Sequence, residues 1–553
     1  MGARTYGGDT WLTPRRATPT LVAAGLAIAY VAVAPKSVDL AAALLRAKLF
    51  VAEGLGIWNN WWYGGHNIPA YSVLFPPLAW LSTPQLVGAV AAVGTAWAFE
   101  QLAWRHFGPD AWLGSLWFGA ATVTELLSGR LAFALGLLGV ALTALALQRW
   151  RRWPAVLLAV LTALSSPVAA LFAALAGVVE TISGIPEVLA AMHAGTNSPK
   201  FGRRTLLPGI SVALAALLPL VALAVLFPEG GREPFAFSTL WPVLLICAAV
   251  VAALPPEQST LRDGAVLYAL GVIAAYGIHT PVGSNVTRLA TLAGGPLVAL
   301  ACWSRSPARR WRALLAVGAI PLLYMQWQQG VSDVLRVHDD PSTTAAYYAP
   351  LQRFLERQPG GAGGLFRVEV PLTRSHWEAY LLAPRFPLAR GWERQLDVRY
   401  NGLFYQGRLT ATAYDRWLHE LAVRYVAVPD VALDPSARQE VGLIDRGLPY
   451  LRLVMHSRHW RVYAVAHPTP LVTGDATLTA IGPSSITLDA TGAGPSIIRV
   501  RWSPYWRIAG SGGCVGPDGA FTQLDVTRRG PVRLVIAFAP GRIQASSPRC
   551  TGS

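Results

Sequence analysis

Five carboxylates, Asp39, Glu53, Glu125, Glu229 and Glu233, stand at the outward ends of the apolar runs that fill residues 1–330. A charge at such a boundary is costly to bury without a purpose. Asp39 is the candidate general base: it opens a long loop, and a lone carboxylate there could take a proton from an attacking hydroxyl. Because it precedes LAAALLRAKLF, it also reads as a helix N-cap, and the two roles are compatible. Glu53 and Glu125 are the reserve acids, with Arg130 as the expected partner of Glu125. The same loop carries Trp58, Asn59, Trp62, Tyr63, His66 and Tyr71. Aromatic faces beside amide and imidazole donors suit a sugar ring, and interfacial anchoring is the competing reading for each aromatic. Farther on, HTPVGSNVTR offers His279, Asn285 and Arg288. An arginine fork suits a phosphate, although a topological or snorkelling arginine has the same appearance. Lys36, Arg46, Lys48 and Arg130 compete for that role.

These residues need elements that hold them at a membrane boundary, and the composition provides such elements. Of 553 residues 53% are hydrophobic and 14% charged, with mean hydropathy +0.39. A soluble domain carries about 25% charged residues, so an ordinary soluble protein is excluded. Runs near 18–35, 84–104, 111–126, 131–148, 205–227, 237–254, 264–280, 287–303 and 313–329 are candidate spans. Residues 154–184, broken at Ser165, Ser166 and Pro167, read as two short helices, because proline lacks a backbone donor and disfavours helix before it. The expected total is eleven spans. With the N-terminus inside, fifteen basic residues fall in inner segments and six in outer ones before the tail, the asymmetry expected of a multi-pass protein. That orientation places the C-terminal region outside. The net charge of +16 therefore reflects topology and gives no argument for nucleic acid. Arginine far outnumbers lysine, and with abundant alanine and glycine this suggests a GC-rich, actinobacteria-like genome.

The domain boundaries follow from the shift in composition after the last span: a membrane domain 1–330 with its first outer loop at 36–83, an α/β domain 331–433, and a β-sandwich-like domain 434–553. TTAAYYAPLQRFLERQ has helical spacing, FRVEV and 424–428 read as strands, and 414–421 reads as a helix. LRLVMHS, WRVYAVA, SIIRVRW and VRLVIAFA are short alternating segments separated by turn residues, the pattern of an antiparallel sandwich. Cys514 and Cys550 lie in this tail and are the candidate disulfide. Arg390, Trp392, Glu393, Arg394 and Asp397 form a dense charged and aromatic patch, read as a docking surface or a ligand site. No Walker A, GxGxxG, HExxH or CxxC pattern occurs, and His456, His459 and His467 lack ligand spacing. No cofactor or metal site is expected, with a divalent cation left open.

The layout resembles the GT-C superfamily of integral-membrane glycosyltransferases. In that family a first span leads into a long outer loop with an acidic residue a few positions on, a juxtamembrane helix and a stretch rich in Trp, Tyr and Gly. Asp39 after Pro35, the segment Leu40 to Ala52 and WNNWWYGGHNIPAYSVLFPPL match this order. The tail segments SHWEAYLLAPRFPLARGWERQLDVRYNGLF and RVRWSPYWRI resemble bacterial membrane proteins labelled 6-pyruvoyl-tetrahydropterin-synthase-related, a label whose soluble chemistry finds no support here. The family's common paired acid is absent, and Asp39 stands alone. The resemblance implies a GT-C-like core in a bacterial plasma membrane. It further implies a polyprenyl-phosphate sugar donor, an envelope glycan or glycoconjugate acceptor, and glycosyl transfer with Asp39 as base. A transporter or flippase of an envelope precursor, or a non-catalytic scaffold, are the alternatives. A transporter would be expected to show matched broken helices, and only one break, at Ser165 to Pro167, is visible.

Overall fold

The computed structural model describes residues 14–193, 199–305, 309–510 and 512–542. By internal contacts the chain forms two units: Met1–Lys36 with Tyr71–Leu223 and Arg232–Leu335, and Ser37–Ala70 with Ala224–Gly231 and Arg336–Ser553. The first is helical. The second joins the segment after the first helix to the tail, so residues 37–70 fold with the C-terminal region and 71–83 with the helices.

In the helical unit each apolar segment read from the sequence is helical, from Pro14–Val33 to Arg309–Leu335. Six stretches among the described residues are long and apolar enough to cross a membrane: Pro14–Val33, Pro84–Leu127, Leu131–Gln148, Pro167–Pro186, Leu206–Leu226 and Gly283–Ser304. Arg152–Ser165 and Phe237–Ala253 are shorter apolar helices. Pro84–Leu127 contains two of the eleven expected spans, interrupted by the 3-10 turn Gly108–Ala111. Ser259–Gly277 and Arg309–Leu335 are long enough but diluted, the first by Arg262 and Asp263 and the second by Gln326, Gln328 and Gln329. Arg152–Ser165 ends at Ser166, whose backbone is extended at φ −160° and ψ 127° before Pro167 opens the next helix. Small residues let these helices touch: a Cβ on Gly119 would lie 2.4 Å from the Pro19 carbonyl oxygen, and one on Gly177 would lie 2.6 Å from that of Gly209.

The other unit contains an α/β sheet and a sandwich. Arg367–Glu369 and Val423–Pro429 pair in parallel, and the antiparallel hairpin Leu451–His456 and Trp460–Val465 extends the sheet from the second of these strands. Period-two alternation divides Val423–Pro429 between two cores. Tyr425 and Ala427 pack with Tyr348, Leu351 and Trp460, whereas Val426 and Val428 pack with Tyr414, Leu418 and Ile444. The hairpin was expected in the sandwich and lies in this sheet instead; its alternation is compatible with either. Two four-stranded antiparallel sheets follow, built from Val472–Gly474 onward, with Ile486, Leu488, Ile498, Trp506, Leu524 and Leu534 buried in one core. Cys514 is disulfide-bonded; Cys550, its expected partner, lies outside the described residues.

Candidate functional site

The helix Leu40–Glu53 turns Leu40, Ala41, Ala42, Leu45 and Leu49 inward. Ala42, Leu45 and Leu49 share a core with Trp61, Trp62 and Tyr63 and with the tail residues Tyr348, Leu382 and Trp460. Two polar contacts fix the helix from outside its own sequence. Trp377 Nε1 donates to the Ser37 carbonyl at 3.1 Å, and Arg46 forms a largely buried ion pair with Glu393. Arg46, a rival for phosphate, is thereby engaged, and the Lys48 ammonium lies 5.6 Å from the Tyr380 ring centre. Asp39 precedes this helix with φ −76° and ψ −14°, and its side chain makes no capping hydrogen bond. A capping residue has an extended backbone and binds a first-turn amide, so the cap reading does not hold.

The residues expected to meet a sugar are packed among neighbouring side chains. Trp58, Asn59, Trp62, Tyr63 and His66 are all buried, with Tyr63 fully so. Trp58 lies edge-on to Trp506 of the sandwich and donates to Asn60 Oδ1 at 2.7 Å. Trp62 donates to the Ala379 carbonyl at 3.1 Å, while the Tyr63 hydroxyl donates to the Glu393 carbonyl and accepts from its amide. His66 bonds Asn59 Nδ2 through Nε2 at 3.1 Å and stacks on Trp62. Burial pushes the His66 imidazole down to about 4. The next residue, Asn67, gives its amide to Glu229, which also accepts from the Tyr400 hydroxyl at 3.0 Å. Burial raises the Glu229 carboxyl to about 7. The rings and donors of these five residues also help to hold the fold together. Tyr71 is half-buried and belongs to the helical unit.

Of the reserve acids, Glu53 is exposed and accepts from Ser484 Oγ at 2.6 Å. Glu125, in the short helix Val123–Leu127, is buried, and its Oε2 has no hydrogen-bond partner among the described residues. In the same unit Arg288 Nη2 donates to Asn285 Oδ1 at 2.5 Å, and its guanidinium lies 5.0 Å from the centre of the Phe133 ring. Of the three donor-phosphate candidates, Arg288 and Asn285 thus meet each other, while His279 is exposed on the preceding turn.

Sequence reasoning missed the buried polar network of the tail. The charged patch around Arg390 was visible, but alternation and composition gave no sign that it is internal. Arg390 binds Asp397 at 2.6 Å with both side chains 1% exposed, and reaches Ser436 at 2.9 Å and Glu440 at 3.5 Å. Burial pushes the nearby Glu369 and Glu440 carboxyls up, and the charge of Glu440 adds to the rise at Glu369. A second cluster contains His376 and Asp434, with Nε2 3.3 Å from Oδ2, and Arg394 bound to the same carboxylate at 2.6 Å. Burial opposes the Asp434 charge, yet its bonds with His376 and Arg394 hold that carboxyl well below the usual range. Among the described residues no group of three or more His, Cys, Asp or Glu side chains could hold a metal ion.

No family model and no curated protein matches this chain. Among solved structures it is similar to one described as the crystal structure of ArnT from Cupriavidus metallidurans bound to undecaprenyl phosphate. Identity is 14% and the TM-score 0.34, over 84% of this chain and 100% of that one. Taken from its own elements, the chain is a polytopic helical membrane protein with an α/β and β-sandwich unit built around its first interhelical segment.

Proposed function

We propose that the protein is a membrane glycosyltransferase of the GT-C kind, moving a sugar from a polyprenyl-phosphate donor to a cell-envelope glycan or glycoconjugate. In this reading the N-terminus is cytoplasmic and residues 331–553 face the outside of a bacterial plasma membrane. The observation that carries the proposal is Asp39, a carboxylate at the start of a rigidly anchored helix that it does not cap. As base, Asp39 takes the acceptor hydroxyl's proton while that oxygen bonds to the anomeric carbon and the bond to the carrier phosphate breaks. The departing phosphate needs positive charge, and Arg288, steered by Asn285, is the proposed source. The charge asymmetry of the loops and the sequence resemblance support the same reading.

The test uses purified full-length protein and a panel of undecaprenyl-phosphate-linked pentoses and hexoses, with sugar release or transfer as readout. Wild type acts on at least one donor. Asp39→Asn lowers turnover by about 10²-fold or more with an unchanged unfolding temperature. Normal turnover in that variant removes Asp39 from the reaction.

A further inference from the structure

We propose that Arg367, Arg499 and Arg501 form an oxyanion-binding site in the tail, with a phosphate group held by the Arg499 and Arg501 side chains and the Arg367 charge behind them. The site does not rest on the reading of Asp39 as a base.

The strand Gly494–Arg501 sets the placement. Its alternation sends Ile498 and Val500 into the sandwich core, so Arg499 and Arg501 leave by the opposite face. Arg367, from the strand Arg367–Glu369 of the α/β sheet, meets them there: its Nη2 donates to the Arg499 carbonyl at 2.8 Å. The first interhelical segment ties the other end. Arg501 gives its amide to the Gly64 carbonyl at 2.7 Å and its Nε to the Tyr63 carbonyl at 2.8 Å. Gly64 is required for that approach, since its φ is +75° and a Cβ on it would lie 3.2 Å from Arg367 Nη2. Three distant segments thus bring three guanidinium groups together.

Their charge is not matched. A buried cation is ordinarily paired with a carboxylate, and none of the three forms an ion pair among the described residues. Arg367 is 0% exposed and donates through Nη1 to the Leu421 carbonyl, and Arg499 Nη1 donates to the Glu420 carbonyl at 3.3 Å. Both carbonyls close the helix Ala411–Glu420. A helix C-terminus is worth about half a negative charge, set here against three positive ones. Burial, and then the charges of Arg501 and Arg499, pull the Arg367 guanidinium down to about 9. Burial also lowers Arg501 and Arg399 adds to that, while Tyr400, Glu420 and Glu229 oppose it. Glu229 is already taken by the Asn67 amide and the Tyr400 hydroxyl.

Two donors are left over. The Nε atoms of Arg367 and Arg499 are buried and bonded to nothing among the described residues. An unpaired buried donor is costly, so its persistence points to a missing acceptor. Arg499 and Arg501 are half-buried and are the members of the trio that solvent reaches. Aromatic faces orient both: the Arg501 guanidinium lies 3.8 Å from the centre of the Tyr400 ring and that of Arg499 lies 5.8 Å from the centre of the Phe521 ring. With Nη1 engaged, Arg499 offers Nε and Nη2 as one fork; with Nε engaged, Arg501 offers Nη1 and Nη2 as another. Such forks match pairs of phosphate oxygens, and a dianion offsets more of the excess charge than a carboxylate does. Free phosphate and a phosphate monoester on a sugar share this chemistry.

Equilibrium dialysis of radiolabelled inorganic phosphate against purified full-length protein, in detergent and chloride buffer at constant ionic strength, tests the site. Wild type is expected to bind one saturable equivalent, and its unfolding temperature to rise with phosphate. Arg499→Gln should weaken binding by about tenfold or more, the effect of losing one charge-assisted fork. Arg499→Lys falls between the two, and Arg528→Gln, at an exposed sandwich position, binds as wild type does. Displacement of the label by glucose 1-phosphate but not by glucose identifies a sugar phosphate as a ligand of the same site, whereas displacement by phosphate alone identifies the free anion. Absence of saturable binding by wild type at millimolar phosphate overturns the proposal. Full affinity in folded Arg499→Gln does the same. Where Arg499→Gln does not fold, Arg499→Lys decides: a fall of about threefold or more supports the fork, and unchanged affinity overturns it.

Discussion

The indole of Trp62 lies against the imidazole of His66 with ring centroids 5.7 Å apart and planes 6° from parallel. Both rings are buried, and Tyr63 closes the edge of His66 at 5.6 Å. Trp62 also donates to the Ala379 carbonyl and packs in the core around Tyr348 and Trp460, which joins residues 37–70 to the tail.

His66 makes the stability of this unit depend on pH. Its folded value is about 4 because of burial, against about 6.5 for an unperturbed histidine. Between those values the unfolded chain binds a proton that the folded chain does not, so stability falls as pH drops through this window and is fully reduced below pH ~4. His66→Gln should flatten that part of the profile. Chemical denaturation at pH 7 and pH 5 measures the difference, and an equal slope in both proteins contradicts the assignment.

Arg390 and Asp397 should behave as a buried pair. Asp397→Asn leaves the Arg390 guanidinium short of its strongest partner and is expected to destabilise the unit by about 3–5 kcal/mol. The double change Arg390→Leu with Asp397→Leu should cost less than the sum of the single changes, as two coupled charges leave together. Urea unfolding followed by tryptophan fluorescence provides both numbers.

Arg288 distinguishes fork geometry from simple charge. On the donor panel Arg288→Ala is expected to weaken donor use strongly. Arg288→Lys should recover little, since an ammonium keeps the charge but cannot reproduce the planar donors that meet Asn285 and a phosphate together. Donor titrations of the purified variants decide between them, and full recovery by lysine refutes the fork.

Orientation is testable without substrate. A phosphatase fused after Gly330 should be active and a cytoplasmic reporter at the same site inactive. The reverse pattern overturns the topology drawn from the basic residues.

Much of the architecture is legible in single residues. Pro167 ends one helix and starts another because it has no amide hydrogen to give and crowds the residue before it, and Ser166 is extended there. The alternation of VRYVAV specifies a strand with two buried faces, and the apolar runs specify helices through their length.

The partners of each buried face were not readable. Alternation in LRLVMHS and WRVYAVA says that one side is covered but not by what, and only strand pairing with Val423–Pro429 assigned that hairpin to the α/β sheet. Trp58, Trp62, Tyr63 and His66 have the composition of a sugar shelf and of a hydrophobic core alike. Tail residues more than 300 positions away, Ala379, Glu393 and Trp506, supply the partners that pack them. The pairing of His376 with Asp434 gave no local signal at all, since that contact exists only once the chain has folded. Sequence determined which residues must leave water and in what local form. Tertiary structure decided what each then faces, because the hydrophobic effect is non-directional and specificity comes from the packing and hydrogen bonds that distant segments complete.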